Sequence, residues 1–384
     1  MSTAMTDDDE GLLRELGPQV LGVLVRRGAD FASAEDAVQE ALIEAVRRWP
    51  AGRPDDPRAW LVTVAWRKYT DAVRSEAARA RREERQHATP DPGPVHQSDD
   101  TLLLLFLACH PALTPASAVA LTLRAVGGLT TAQIARAYMV PEATMAQRIS
   151  RAKATLRGKA LDQPGDLRTV LKVLYLIFNE GYSGEEDLAA EAIHLTRQVA
   201  AASAEPEAAG LLALMVLHHA RRHARQTNSG ELIPLAEQER SRWDTGLIAE
   251  GVDILQHALA QDRLGEYQAQ AAIAALHADA RSASETDWPQ ILQWYDELVR
   301  LTNSPVVMLN RAVAVGQVDG PLAGLRAVEQ VPDHVPRHAA VRAYLHEQAG
   351  NHSQARRLYL EAARAAPSIP ERDHLTRQAA RLQP

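Results

Sequence analysis

Three observations predict an all-α chain. Ala, Leu and Arg are abundant while aromatic residues are only 4% of the sequence; the former lose little side-chain freedom in a helix, and good strand formers are sparse. No sustained alternation of Val, Ile, Thr and aromatics marks a strand ladder. Near the C-terminus, apolar helical segments recur with a spacing typical of helix-turn-helix repeats. At 384 residues, 46% hydrophobic and 24% charged, the chain is a folded one of two or three domains.

The first domain is expected over residues 10–82. Ser33 can cap a helix that begins Ala34-Glu35-Asp36, placing acids at its positive end. Helical spacing puts Ala37, Ala41, Ile43 and Ala45 or Val46 near its inner face, and Trp49-Pro50 ends it. A turn-rich loop follows from Pro50 to Pro57. A second helix from about Arg58 to Glu84 turns Trp60, Val64 and Ala72 inward. Residues 83–100 hold Pro90, Pro92, Gly93 and Pro94 and the acids Glu83, Glu84, Asp91, Asp99 and Asp100. That composition cannot bury enough apolar surface to fold by itself, and it reads as an acidic linker.

Helical pattern returns over 101–161. Net charge is −7, a weak argument against a nucleic-acid partner, but charge is sorted by segment. Between Arg124 and Lys159 seven bases (Arg124, Arg136, Arg148, Arg151, Lys153, Arg157, Lys159) face one acid, Glu142. Within this stretch a short helix burying Ile134 and Ala135 is followed by a tight Tyr138-Met139-Val140 turn. Pro141 suits the first turn of the next helix, where its missing N–H costs nothing. That helix buries Met145, Ile149 and Ala152 and exposes Glu142, Thr144, Gln147, Arg148 and Arg151. An apolar back and a basic, hydrogen-bonding front are what a helix needs to lie in the major groove.

These motifs resemble a known family. Thr144 to Leu156 resembles the region 4 recognition helix of bacterial sigma factors. Ala34-Glu35-Asp36-Ala37-Val38-Gln39-Glu40-Ala41 resembles the region 2.2 helix that binds the clamp of RNA polymerase. Pro57-Arg58-Ala59-Trp60-Leu61-Val62-Thr63-Val64-Ala65, then Asp71 and Arg74, resembles the regions that melt and read the −10 element, with Trp66-Arg67 where many members carry Arg-Asn. Leu174-Tyr175-Leu176-Ile177-Phe178-Asn179-Glu180-Gly181-Tyr182 resembles the opening of a tetratricopeptide-like extension found in one group. The resemblance implies an extracytoplasmic-function (group 4) sigma factor with such an extension. Its partners would be core RNA polymerase and promoter DNA, and its linker would mimic nucleic acid.

On that reading Asp36, Gln39 and Glu40 form the polymerase-binding face. Melting requires cations and aromatics that hold an unstacked strand. Arg58, Arg67, Lys68 and Arg74 are the expected −10 contacts, and the Pro50–Arg58 loop the expected base pocket. Glu142, Thr144, Gln147, Arg148 and Arg151 would read the −35 element.

The extension is expected over 166–384. Leu171, Leu174, Tyr175 and Phe178 line one face of its first helix, either as core or as a docking face, and Gly181 would cap it. Val315-Gly316 and Ala349-Gly350 lie 34 residues apart, each closing an apolar helix before another (Pro321–Val331; Ser353–Ala366), and Pro332 and Pro367 end the second helices. The repeats would modulate the sigma activity through an intramolecular or protein partner.

No catalysis, cofactor or metal is expected: His219 and His223 have the i, i+4 spacing of a helical zinc site but no glutamate follows His219. Cys109, the single cysteine, cannot pair internally. An acidic start and the shortness of the apolar run 101–108, against the ~20 residues of a bilayer span, point to a cytoplasmic protein with no membrane association. The residues also admit a helix-turn-helix regulator acting without polymerase, and a helical-repeat scaffold.

Overall fold

The computed structural model describes residues 7–80, 101–157, 165–180, 188–227, 231–366 and 368–382. The acidic linker at 83–100, the break at 162–164 and the cap proposed at Gly181 lie outside or largely outside these residues. Every element longer than a single bridge among the described residues is helical. The chain divides into two compact units after Gln198.

The first unit opens with α1 (Asp7–Arg26), α2 (Phe31–Arg48) and α3 (Pro57–Ala80). α1 contributes Leu13, Leu16, Val20, Leu21 and Leu24 to their shared core, and α2 contributes Phe31, Ala34, Val38, Ala41 and Ala45. α2 starts earlier than Ser33 suggested. Asp30 is its cap, accepting from Ser33 N at 3.0 Å, because an Asx cap there lets Phe31 and Ala32 enter the core. Ile43, expected inward, is 52% exposed, and of the alternatives Ala45 and Val46 it is Ala45 that is buried while Val46 is 46% exposed; the buried stripe follows 31, 34, 38, 41 and 45. α3 likewise buries Leu61, Val62 and Ala65, while Ala72 is exposed and Trp60 and Val64 are half-buried. Trp60 packs edge-on against Trp49, rings 5.9 Å apart, which seals the turn between α2 and α3.

Next come α4 (Thr101–Ala108), α5 (Pro115–Ala125), α6 (Thr131–Ala137) and α7 (Glu142–Leu156). α5 is buried on most sides, and Thr114 caps it through Ser117 N. The unit continues into α8 (Leu167–Glu180) and most of α9 (Leu188–Ala202). In α8, Val170, Leu171, Leu174, Ile177 and Phe178 are buried against α4 and α5, with Tyr175 half-buried at the edge. The two readings of that face therefore coincide: docking on the helix-turn-helix domain is what makes it core. Gly165 enters this junction with its N–H on Phe106 O at 2.8 Å. A Cβ there would lie 2.3 Å from Cys109 O.

The second unit contains α10 (Pro206–His219), α11 (Thr245–Leu259), α12 (Glu266–Asp279), α13 (Trp288–Thr302), α14 (Pro305–Val318), α15 (Pro321–Val328), α16 (His338–Gln348), α17 (His352–Ala365) and α18 (Ile369–Arg381). α10 is apolar around its circumference and is covered by α11 and α12. Further along, each apolar cluster is shared by consecutive helices: Ile273, Ile291, Leu298 and Ala314, then Leu309, Val328 and Leu345, then Ala343, Leu358, Tyr359 and Leu375. Such nearest-neighbour burial is the arrangement of a helical solenoid.

The expected repeat boundary needs correction. Gly316 sits inside α14, where a Cβ would come within 2.5 Å of Leu345 Cδ2; the turn is made by Gly320 at φ +89°. Gly350, at φ +77°, does close α16. α15 stops at Val328 rather than Val331. Position 316 therefore serves helix packing, and only 350 serves the turn.

Candidate nucleic-acid interface

The helix-turn-helix is assembled locally. Thr130 and Gln133 form a reciprocal cap at the start of α6: Gln133 N donates to Thr130 Oγ1 at 3.1 Å and Thr130 N to Gln133 Oε1 at 2.8 Å. This satisfies two otherwise unpaired donors. Ile134 and Ala135 are buried as expected. The turn runs through Met139, at φ +49°, with Val140 N returning to Ala135 O at 3.0 Å. Pro141 stands at the cap position, one residue before the helix rather than in its first turn.

Along α7, Met145, Ile149, Ala152 and Leu156 are buried. Thr144, Gln147 and Arg151 are exposed on the opposite side with Arg148 half-buried beside them, while Glu142 is exposed in the first turn but falls on the stripe of Met145 and Ile149. The structure thus brings three of the five expected −35 residues onto one open surface, with Arg148 at its edge and Glu142 apart from it at the start of the helix.

Lys153 behaves differently. Its ammonium turns away from that surface toward α2, where it pairs with Glu35 and lies 2.7 Å from Asp36 Oδ1. Glu35 is 1% exposed, and Arg124 Nε of α5 sits 3.4 Å from its Oε1. Arg124 also donates to Gln39 Oε1 at 2.5 Å and to Leu129 O at 3.0 Å. Burial disfavours the charge on Lys153, but Glu35 and Asp36 outweigh it and hold the ammonium above its ordinary pKa. Two of the seven bases that made this segment basic are thus spent inside the unit.

Sequence reasoning placed Glu35 at the solvated start of α2 and missed this role. The signal was present: position 35 falls on the same helical stripe as Phe31, Val38 and Leu42, where an acid must find a buried partner.

The three residues expected to face polymerase are all engaged within the unit. Asp36 meets Lys153, Gln39 meets Arg124, and Glu40 lies 3.4 Å from Lys68. Lys68 is also 3.7 Å from Glu44, so this expected −10 cation lies across the acidic side of α2. Arg67 and Arg74 project from α3 with side chains 84% and 74% exposed, each 4.0 Å from Asp71. Arg58 is half-buried in the first turn of α3. Beside Arg67, Trp66 and Tyr69 form a tilted pair 5.5 Å apart, and Arg27 lies 5.5 Å over the Trp66 ring. In the Pro50–Arg58 loop, Asp56 caps α3 through Ala59 N at 2.9 Å and Arg53 reaches Asp9 at 3.2 Å.

Elsewhere in this unit, Arg14 of α1 donates to Gly127 O at 3.3 Å and pairs with Glu191 of α9 at 3.5 Å. Gly128 allows this approach: it takes φ +64°, and a Cβ would stand 2.9 Å from Arg14 O. Cys109 is buried, and burial raises its thiol to about 12. In the second unit α10 ends at His219 and His223 follows in a 3₁₀ turn, so the helical spacing that suggested a zinc pair is not realised. None of the described helices is long and apolar enough to cross a membrane.

Comparison with known proteins follows the same divisions. Residues 12–79 match the family model for sigma-70 region 2, residues 103–156 that for sigma-70 region 4, and residues 166–259 a family of unknown function, DUF6596. An uncharacterized protein of Rhizobium meliloti is 39% identical over 94% of this chain and 92% of its own length. The ECF RNA polymerase sigma factor SigK of Mycobacterium sp. (strain KMS) is 30% identical over 36% of this chain and 75% of its own length. SigK of Mycolicibacterium vanbaalenii is 32% identical over 34% of this chain and 70% of its own. No solved structure matches the chain.

Proposed function

Because this chain belongs to the extracytoplasmic-function RNA polymerase sigma factors, we propose a division of labour among its residues and a controlling role for its extension. Membership makes transcription initiation its role, with core polymerase and promoter DNA as its partners. Asp36, Gln39 and Glu40 bind core polymerase, beside the exposed Ile43 and Val46 that supply a small apolar contact. Arg67 and Arg74 hold the −10 strand, with Arg58 from the first turn of α3, and Lys68 joins them once DNA competes for its present contacts with Glu40 and Glu44. Glu142, Thr144, Gln147, Arg148 and Arg151 read the −35 element. The chain performs no chemistry of its own; the polymerase makes the RNA.

The observation that carries this reading is the open polar and basic surface of α7 backed by Met145, Ile149 and Ala152, in a helix-turn-helix closed by a full cap. For the extension, support comes from the burial of α8 against the helix-turn-helix domain. A truncation should therefore end after Gln198, which keeps α8, rather than near Gln163.

Run-off transcription with core polymerase on the DNA upstream of the chain's own gene tests the assignment. Promoter-specific transcript is expected from the full chain, with a changed yield from the truncated one. Promoter binding without polymerase binding would instead make this a regulator, and equal yields from both forms would reject control by the second unit.

A further inference from the structure

Region 2 and region 4 meet in the first unit along a charged seam. Both cations that neutralise the buried Glu35 come from region 4: Arg124 from α5 and Lys153 from the last turn of α7. Their side chains are 17% and 16% exposed. The same two cations reach Asp36 and Gln39, so they cover three neighbouring positions of α2. A lone carboxylate is too costly to bury, which means Glu35 can stay buried only while region 4 supplies its partners.

Elsewhere α1 packs against α4 and α5, but part of the seam stays open. A cleft of about 760 Å³ runs along it between Leu21, Val38 and Leu42 on one side and Ala125, Gly128 and Thr130 on the other. Water reaches this space, so ions rather than a sealed core hold the α2 side of the seam.

We propose that the free chain is latched shut by Glu35 clamped between Arg124 and Lys153, and that the latch must open before the α2 face engages core polymerase. The inference rests on reading Asp36, Gln39 and Glu40 as that face. Opening costs little once a basic docking surface is offered, because one set of partners for Glu35 and Asp36 is exchanged for another. The same event releases Lys153 and frees the C-terminal half of α7. A closed population lowers the apparent affinity by the fraction of chains that are open.

The test uses the full chain with Arg47→Cys and Thr155→Cys, both exposed positions, labelled with a donor–acceptor dye pair; Cys109 is buried and stays unlabelled. High energy transfer is expected in the unaltered latch and in Lys153→Arg, which keeps the charge. Lys153→Glu sets a third carboxylate against Glu35 and Asp36, and it should convert the chain to low transfer. Its affinity for core polymerase should then rise about tenfold, as for a chain otherwise open about a tenth of the time. Adding polymerase to the unaltered chain should also lower transfer, which tests the latch even if Lys153→Glu fails to fold. Unchanged high transfer in a folded Lys153→Glu chain, or polymerase bound with transfer still high, overturns the latch. Opening without gain in polymerase affinity instead overturns the assignment of the α2 face and upholds the latch.

Discussion

Within each of the two units of this protein the helices are joined by a different mix of forces. In the second, Leu214, Met215 and Leu217 of α10 and the clusters that follow it bury apolar surface between consecutive helices. The first has apolar packing too, with α1 against α4 and α5, but its α2 side meets α5 and α7 through the charges of Glu35, Arg124 and Lys153. Apolar burial has no alternative partner in water, so a unit built on it stays assembled. An ion pair can be exchanged for another, so a seam built on it is separable by a competitor of the right charge. If the latch proposed above holds, the difference teaches that the sigma half is built to come apart and the extension to persist.

The sharpest way to break the comparison is to damage the apolar unit. Leu214→Ala should cost about 3 kcal/mol, read as a lower melting temperature of the transition assigned to residues 199–384, with promoter binding by α7 retained at low temperature. If the same substitution opened the first unit instead, the two units would not be independent in stability.

Acid should weaken the second unit next. Burial, aided by Arg221, holds the His218 imidazole down at about 3 and that of His277 at about 4. Both are neutral in the folded chain while the unfolded chain takes up protons below about 6.5. Stability is therefore full above 6.5 and falls as pH drops toward 4, by at most ~1.4 kcal/mol per pH unit for each histidine. His277→Gln should flatten that slope in an acid titration followed by circular dichroism; an unchanged slope would place the effect elsewhere. Lys153 has the opposite sign: its pKa is raised, so the stability its ammonium contributes persists through neutral pH and falls as pH rises into strong alkali.

A smaller effect distinguishes the exposed bases of α7 from the cation that α5 turns toward α2. Arg148→Ala with Arg151→Ala should weaken promoter binding and reduce the salt slope by about 1 to 2, measured by fluorescence anisotropy across a salt series. Arg124→Gln should leave that slope nearly unchanged, since its guanidinium is turned to α2. Equal slopes in both variants would show that the segment's charge acts as a whole. The smallest effect concerns Cys109, which should resist a maleimide in the native chain and react at once in denaturant. Rapid native labelling would show α4 and α8 opening at the junction.

Much of this architecture was legible beforehand. The all-helical class followed from composition, and the helix-turn-helix followed from the three-and-four spacing of Met145, Ile149 and Ala152. Both depend on interactions within a few residues, which is the range a sequence expresses directly. Gly350 was recognised as a turn for the same reason. Gly316 was mistaken for one, because a glycine required by a distant side chain, here Leu345, looks the same in sequence as one required by its own backbone. Ile43 is expected inward, and Ala45 and Val46 stand as alternatives, because hydrophobicity alone does not reveal which side of α2 a neighbour covers.

The sequence by itself determined the order of the functional segments and the residue types each could offer. Only the tertiary structure decided how those residues are spent. It assigned Arg124 and Lys153 to Glu35 rather than to DNA, and set Asp36, Gln39 and Glu40 against cations of the same chain. It also made α8 part of the core beneath the helix-turn-helix. The reason is physical: a charge counts toward a nucleic-acid surface only where no opposite charge lies closer, and Glu35 comes from a helix more than eighty residues away in the chain.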